Sequence, residues 1–384
     1  MGQLQKVSWR TAGYAALGTV VAAASVVAVV TSDGVRPTSL TSSAATRWLV
    51  DRVNDTVVLV DGLAGRVVAK IEIASESESR TSGEVAVQGA GGAFLIAASS
   101  ASVRTISTAK LQLGTAQAVS LLAEPDVKFG VGASGLTVVS PGTNEASVVA
   151  VDDPVTRPVK VPESNSALVA ADGSMWLLGN TEATHVNIDE SATSVPLRST
   201  PDQTATIGSN AVSYDADTGT VRWLDGGDVS VSSIANPSEA VLQLSGDDAP
   251  CAWLGVGNRL LCVGATAIAS TVEIDGLNIG PGDRLAVAGN AMVVVHSNNS
   301  VDRIDLDDQR LGTEPRPDPP SEPPLSITAA GNLIWLDDQS GENAWVVHRF
   351  GINPIAKNDE SVPLLDAQGQ IKDLGITVDA STAG

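Results

Sequence analysis

The chain repeats one short phrase about every forty residues: a small or turn-forming residue, then a run of Val, Leu, Ile and similar side chains. The phrase falls at residues 47–50, 92–96, 135–139, 173–177, 210–214, 258–262, 289–293 and 331–335. From Trp48 to Leu333 the eight units advance by about 41 residues per step, with wide variation between steps. Beyond Arg47 no long stretch has a helical apolar period. Short apolar runs alternate instead with Gly, Asp, Asn and Ser, the pattern of strands separated by tight turns.

A forty-residue period with several strands per unit is the signature of a β-propeller built from four-stranded blades. The sequence lacks the Gly-His and Trp-Asp dipeptides of WD40 repeats, so the period carries the reading. Seven or eight blades fit, depending on how the ring closes. A β-sandwich array would show turns at similar intervals but no forty-residue period. The expected fold is all-β: a seven- or eight-bladed propeller over residues 47–351, preceded by one N-terminal transmembrane helix.

The transmembrane expectation rests on residues 14–31, an apolar run without charge. Eighteen residues at the helical rise reach about 27 Å, close to the hydrocarbon thickness of a bilayer. Lys6 and Arg10 precede the run and Asp33 follows it. That asymmetry places residues 1–13 in the cytoplasm and everything after the helix outside. Trp9 and Tyr14 stand where amphipathic rings favour the inner interface. A cleaved signal peptide is the competing reading, with Ser43-Ala44-Ala45 as a small-residue cleavage site. Its apolar core is ordinarily shorter than this run. Both readings export the body, with residues 32–46 as linker. The expected localisation is therefore the cell membrane, single-pass, with an extracytoplasmic body.

Charge narrows the partners. The chain has 23 basic and 44 acidic residues, a formal net charge of −21. Such a field repels phosphate backbones, which argues against nucleic acid. The partners expected are the bilayer, through the N-terminal helix, and an unidentified protein or glycan.

Cys251 and Cys262 are the only cysteines. A two-residue turn at Val256-Gly257 would set them opposite one another on a hairpin. An exported chain with two cysteines so placed is expected to form the disulfide. The alternative is a pair of buried thiols. Metal binding has little support, because His185, His296 and His348 lie far apart in sequence.

Residues 213–223 look like the outer hairpin of a quinoprotein-type propeller repeat. Asp215 and Asp217 can accept from turn amides, Gly219 permits positive φ, and Trp223 is placed to pack between blades. The same stretch resembles half a calcium loop but lacks its sixth-position Gly and twelfth-position Glu. Residues 313–324 hold six prolines and read as a long blade loop. Residues 352–384 read as a connector leading into the start of an Ig-like repeat.

The N-terminal apolar helix, the diverged propeller units, the Cys251-Ala252-Trp253 and Cys262 repeat, and the 356–359 Ala-Lys-Asn-Asp connector together resemble the start of large actinobacterial membrane-anchored surface proteins. The resemblance implies an N-terminal propeller-like region followed by Ig-like or fibronectin type III repeats. It implies architecture more than activity.

No nucleophile elbow, zinc-protease helix or phosphate loop is present, and no catalytic, cofactor or metal site is expected. Asp pairs at 152–153, 247–248, 307–308 and 337–338 read as turn residues, since neighbours on a strand face opposite ways. Two functions remain. One is a cell-surface scaffold or recognition module. The other is an extracytoplasmic glycosidase or its non-catalytic region, which would assemble carboxylates from separate blades. A central funnel lined by Val, Ala and Gly favours the first. Buried, paired carboxylates there favour the second.

Overall fold

A computed structural model describes residues 45–73, 83–151, 156–189, 191–231, 234, 236–246, 249–312 and 325–372. The described residues form eight β-sheets, seven of four strands and one of five, arranged as the blades of a propeller. Seven blades are consecutive antiparallel meanders. Blade 8, for example, runs through Ser326–Ala330, Leu333–Asp337, Asn343–His348 and Gly351–Ala356. Their inner strands run side by side in the same sense, as the parallel bridges Ile207 to Gly246 and Gln243 to Leu285 show.

Blade 1 breaks the pattern. Its inner strand, Thr46–Asp51, is followed by Thr56–Asp61 and Arg66–Glu72. The outer edge is completed by Leu364–Leu365, which pairs parallel with Lys70 and Ile71. The inner strand is also inverted relative to blade 2. Near its start, Thr46 O accepts from Gln88 Nε2 at 2.8 Å, and Gln88 closes blade 2's inner strand. Just past its end, Arg52 donates to Glu84 O at 2.9 Å, where that strand begins.

The core is a series of apolar contacts between sheets. Val, Leu, Ile and Ala fill it because the alternate faces of each strand press on the neighbouring blades on both sides. Tryptophans span these interfaces, and three of them satisfy the indole N–H on the next blade, as a buried donor ordinarily does. Trp48 Nε1 donates to Thr108 Oγ1 at 3.0 Å, Trp176 Nε1 to Ser209 O at 3.0 Å, and Trp223 Nε1 to Val263 O at 3.2 Å. Trp223 thus packs between blades as its sequence context predicts. In the same hairpin, Thr218 N donates to Asp215 Oδ1, and Gly219 has a φ of 59°.

Two boundaries move. Residues 351–356 are not a connector: they are the fourth strand of blade 8, and residues 364–365 belong to blade 1. Further along, Leu113 N donates to Ala367 O at 3.0 Å, so the segment also lies along the rim of blade 2. The connector reading of residues 352–365 gives way to these strands, because Pro354 and the polar residues after Ala356 look like a linker; residues 373–384 lie outside the described residues. Pro354 is tolerated because this is the outermost strand of its sheet. The expected transmembrane helix, the interfacial residues Lys6, Trp9, Arg10 and Tyr14, and the proline-rich 313–324 lie outside the described residues. Among the described residues no helix is long and apolar enough to cross a membrane.

Candidate functional site

Along the propeller axis lies a cavity of about 430 Å³. It sits where inner strands turn into second strands, and main chain makes much of its wall. Gln88 and Gly89 line it from blade 2, Gly130 from blade 3, Thr206 from blade 5 and Ser245 from blade 6. Among the described residues Arg47 is the one charged residue in that lining, and no carboxylate contributes to it. Small residues stand here because the inner strands crowd the axis. A Cβ at Gly91 would overlap Gly132 O, and one at Gly132 would overlap the Asp172 main chain.

Side-chain amides tie the crowded strands together. Gln203 donates to Ala240 O and accepts from Leu242 N, both at 2.7 Å, like an inserted peptide group. Gln88 does the same between blades 2 and 1, accepting from Trp48 N at 3.1 Å. This cavity can hold a ligand by shape and neutral hydrogen bonds. Among the described residues it offers no acid–base pair.

The histidines are committed elsewhere. His185 stacks on Trp176 with ring centroids 4.5 Å apart, and its Nε2 meets Ser174 Oγ at 2.9 Å. Ser174 Oγ in turn donates to Asp172 Oδ1 at 2.6 Å. Serine stands in the middle, with its proton directed to the aspartate. A nucleophilic triad needs histidine in that place. Burial holds the His185 imidazole below its ordinary value, with Asp172 and Asp225 opposing. His296 is held from both sides, Nδ1 by Asp283 at 3.0 Å and Nε2 by Asp302 at 3.1 Å. Among the described residues no cluster of three His, Cys, Asp or Glu is arranged to hold a metal ion.

Cys251 and Cys262 form the disulfide, with Cα atoms 5.4 Å apart. The hairpin register is not the one expected. Val256 pairs with Arg259 and Trp253 with Cys262, so the turn is Gly257-Asn258. Gly257 takes a φ of 56°, and glycine at the first turn position suits a primed two-residue hairpin. The bridge is therefore diagonal, joining the residue before the second strand to the third strand. Replacing both cysteines by alanine should lower the unfolding free energy by about 2–3 kcal/mol, the range for a short closed loop. Urea titration with and without reductant checks this: reductant should shift the parent and leave the variant unchanged.

Of the aspartate pairs, 152–153 and 247–248 lie outside the described residues. Asp307 and Asp308 sit in a turn capped by Asp305 Oδ1. Asp338 likewise caps its turn, accepting from Ser340 N and Gly341 N. Asp337 corrects the turn reading: its carboxylate faces inward and meets Lys357 Nζ at 3.0 Å. Lys357 is fully buried, and its ammonium also donates to Val50 O at 3.1 Å and Asp338 O at 2.6 Å. Three donors thus meet three acceptors drawn from blades 1 and 8. Nothing in the sequence singles this lysine out.

On the outside of blade 5, Arg222 grips Asp228 through two bonds of 2.6 and 3.0 Å. Hydrogen bonding to Arg222 lowers the Asp228 carboxyl from 3.8, with burial opposing and Arg198 adding a smaller pull. A lowered folded value stabilises above the unfolded value and loses that contribution as pH falls through the folded one. Melting temperature should therefore drop less steeply below about pH 4 in Asp228→Asn than in the parent. Parallel slopes would refute the role of this pair.

No family model and no curated protein matches the chain. Among solved structures it is similar to virginiamycin B lyase from Staphylococcus aureus, at 13% identity and a TM-score of 0.45, covering 66% of this chain and 90% of that one. It is also similar to apo AztD from Citrobacter koseri, at 16% identity and a TM-score of 0.46, covering 81% and 95%. Hydrazine synthase from Kuenenia stuttgartiensis is a third, at 11% identity and a TM-score of 0.44, covering 74% and 99%. The eight-bladed propeller itself stands on the sheet topology of this chain.

Proposed function

We propose that this protein is a membrane-anchored, extracytoplasmic propeller that serves as a cell-surface recognition scaffold for a protein or glycan. The observation that carries the reading is the axial cavity, walled among the described residues by glycine, alanine, valine and small hydroxyl residues, with Gln88 and Arg47 and without a carboxylate. A glycosidase needs two carboxyl groups across the scissile bond. The histidine environments add support, since His185 is held by Ser174 and His296 lies between Asp283 and Asp302. The disulfide fits an oxidising compartment. The charge-free run at residues 14–31 behind Lys6 and Arg10 supports the anchor. The resemblance to actinobacterial surface proteins fits the same placement, with further repeats beyond the propeller.

Protease applied to intact cells tests the topology. Digestion of the body with retention of a small N-terminal membrane fragment is expected, and protection of residues 47–384 would overturn the reading. For the choice between scaffold and hydrolase, the full-length chain is incubated with envelope polysaccharides. Retention of a polysaccharide or envelope protein without release of reducing ends is expected. Release of reducing ends that survives every axial substitution would place chemistry elsewhere and sink the scaffold reading.

A further inference from the structure

The ring closes between blade 8 and the inverted strand of blade 1, and the polar groups there do not all find partners. Trp335 occupies in blade 8 the interblade role that Trp48, Trp176 and Trp223 play in theirs. Its ring tip lies against Gly62 of blade 1. Yet Trp335 is only 2% exposed and its Nε1 has no hydrogen-bond partner. Two more buried atoms nearby are likewise unpartnered: Arg52 Nε and Glu84 Oε2. All three residues line one cavity of about 30 Å³.

We propose that this seam cavity is a structural water site, holding one or two ordered molecules that join the last blade to the first two. The volume suits this, since a water needs roughly 10–15 Å³ of space measured this way. The chemistry selects water over ions. Arg47 and Arg52 in the wall disfavour a cation, while Glu84 and Asp337 disfavour an anion. The unpartnered atoms are two donors, Trp335 Nε1 and Arg52 Nε, and one acceptor, Glu84 Oε2. Water accepts from the first two and donates to the third, within the volume available. Buried polar groups left over by direct contacts are commonly satisfied this way.

Two measurements on the full-length chain test the site. In a crystal structure, density for one or two waters within hydrogen-bond range of Trp335 Nε1 is expected. A dry cavity, an indole bonded to a protein carbonyl, or an anomalous bromide peak from crystals grown in bromide would each overturn the proposal. In solution, the Trp335 indole proton should show a cross-relaxation peak to long-lived water. The Trp223 indole, bonded to Val263 O, serves as the dry control. The Trp335 signal is identified by its loss in Trp335→Phe. Equal, absent water peaks at both indoles would likewise refute it.

Discussion

Replacing Lys357 by methionine should lower the unfolding free energy by about 3–5 kcal/mol, the cost of breaking a buried ion pair by removing one partner. Methionine keeps most of the volume, so the loss isolates the ammonium. Three acceptors are then stranded: Asp337 Oδ1, Val50 O and Asp338 O. Two of them belong to blade 8 and one to blade 1, so the loss falls on the closure of the ring. Burial already raises the Asp337 carboxyl above 3.8, with Lys357 pulling the other way. Without the lysine the carboxyl rises further. A raised folded value stabilises below the unfolded value and loses that contribution as pH rises through the folded one. The deficit of Lys357→Met should therefore be smallest near pH 4 and grow toward neutrality. The double variant Lys357→Met with Asp337→Leu should recover part of the loss and flatten its pH dependence. The two carbonyls still lack a donor. Urea midpoints across that pH range decide the matter. A single variant within about 1 kcal/mol of the parent would show that the pair does not hold the seam.

The period of forty was legible because the second strand of a blade is its most apolar, being packed on both faces. In blades 2, 3, 4, 5, 7 and 8 the repeated phrase is that strand. It slips in two places, each for a physical reason. In blade 6 it marks the third strand, Arg259–Val263, since the true second strand Ala252–Val256 is interrupted by Gly255. A larger residue there would meet Ile279 and Leu285. In blade 1 the phrase marks Thr46–Asp51, which runs in the sense of a second strand but stands at the axis. Sequence carries strand sense and apolarity, whereas the radial slot is set by which neighbours are already in place.

The disulfide shows the same division. Export and cysteine count pointed to the bond, while the register depended on which glycine would take the left-handed position. Both Val256-Gly257 and Gly257-Asn258 are plausible turns on the string of letters. The structure chooses the second, where Gly257 N also donates to Ile279 O at 2.8 Å, a contact from a distant segment. Lys357 and the axial lining were illegible for a related reason. A lysine in Ala-Lys-Asn-Asp reads as solvent-facing until Asp337, twenty residues away, is known to be beside it. The wall of the axial cavity comes from the ends of strands more than two hundred residues apart.

The close approach of the second and third strands of blade 3 yields the second large effect. Gly135→Ala should lower the unfolding free energy by about 2–4 kcal/mol, from two sources that add at one residue. The first is backbone conformation. Gly135 has a φ of 131°, a region that residues with a Cβ adopt only under strain. The second is space. An added Cβ would overlap Val149 O and come within 3.0 Å of Ala150 Cα. Both obstacles are main chain of the third strand or its continuation, already fixed by pairing with the second strand. Neither can swing aside as a side-chain end would. Gly142 supplies the comparison, because a Cβ there meets nothing within 4 Å and no positive φ is involved. Gly142→Ala should leave stability within about 0.5 kcal/mol of the parent, as surface substitutions usually do. Denaturant titrations of the two variants side by side check the argument. Equal stabilities would mean that blade 3 relaxes around the new methyl group, and that crowding by the third strand is not what keeps glycine there.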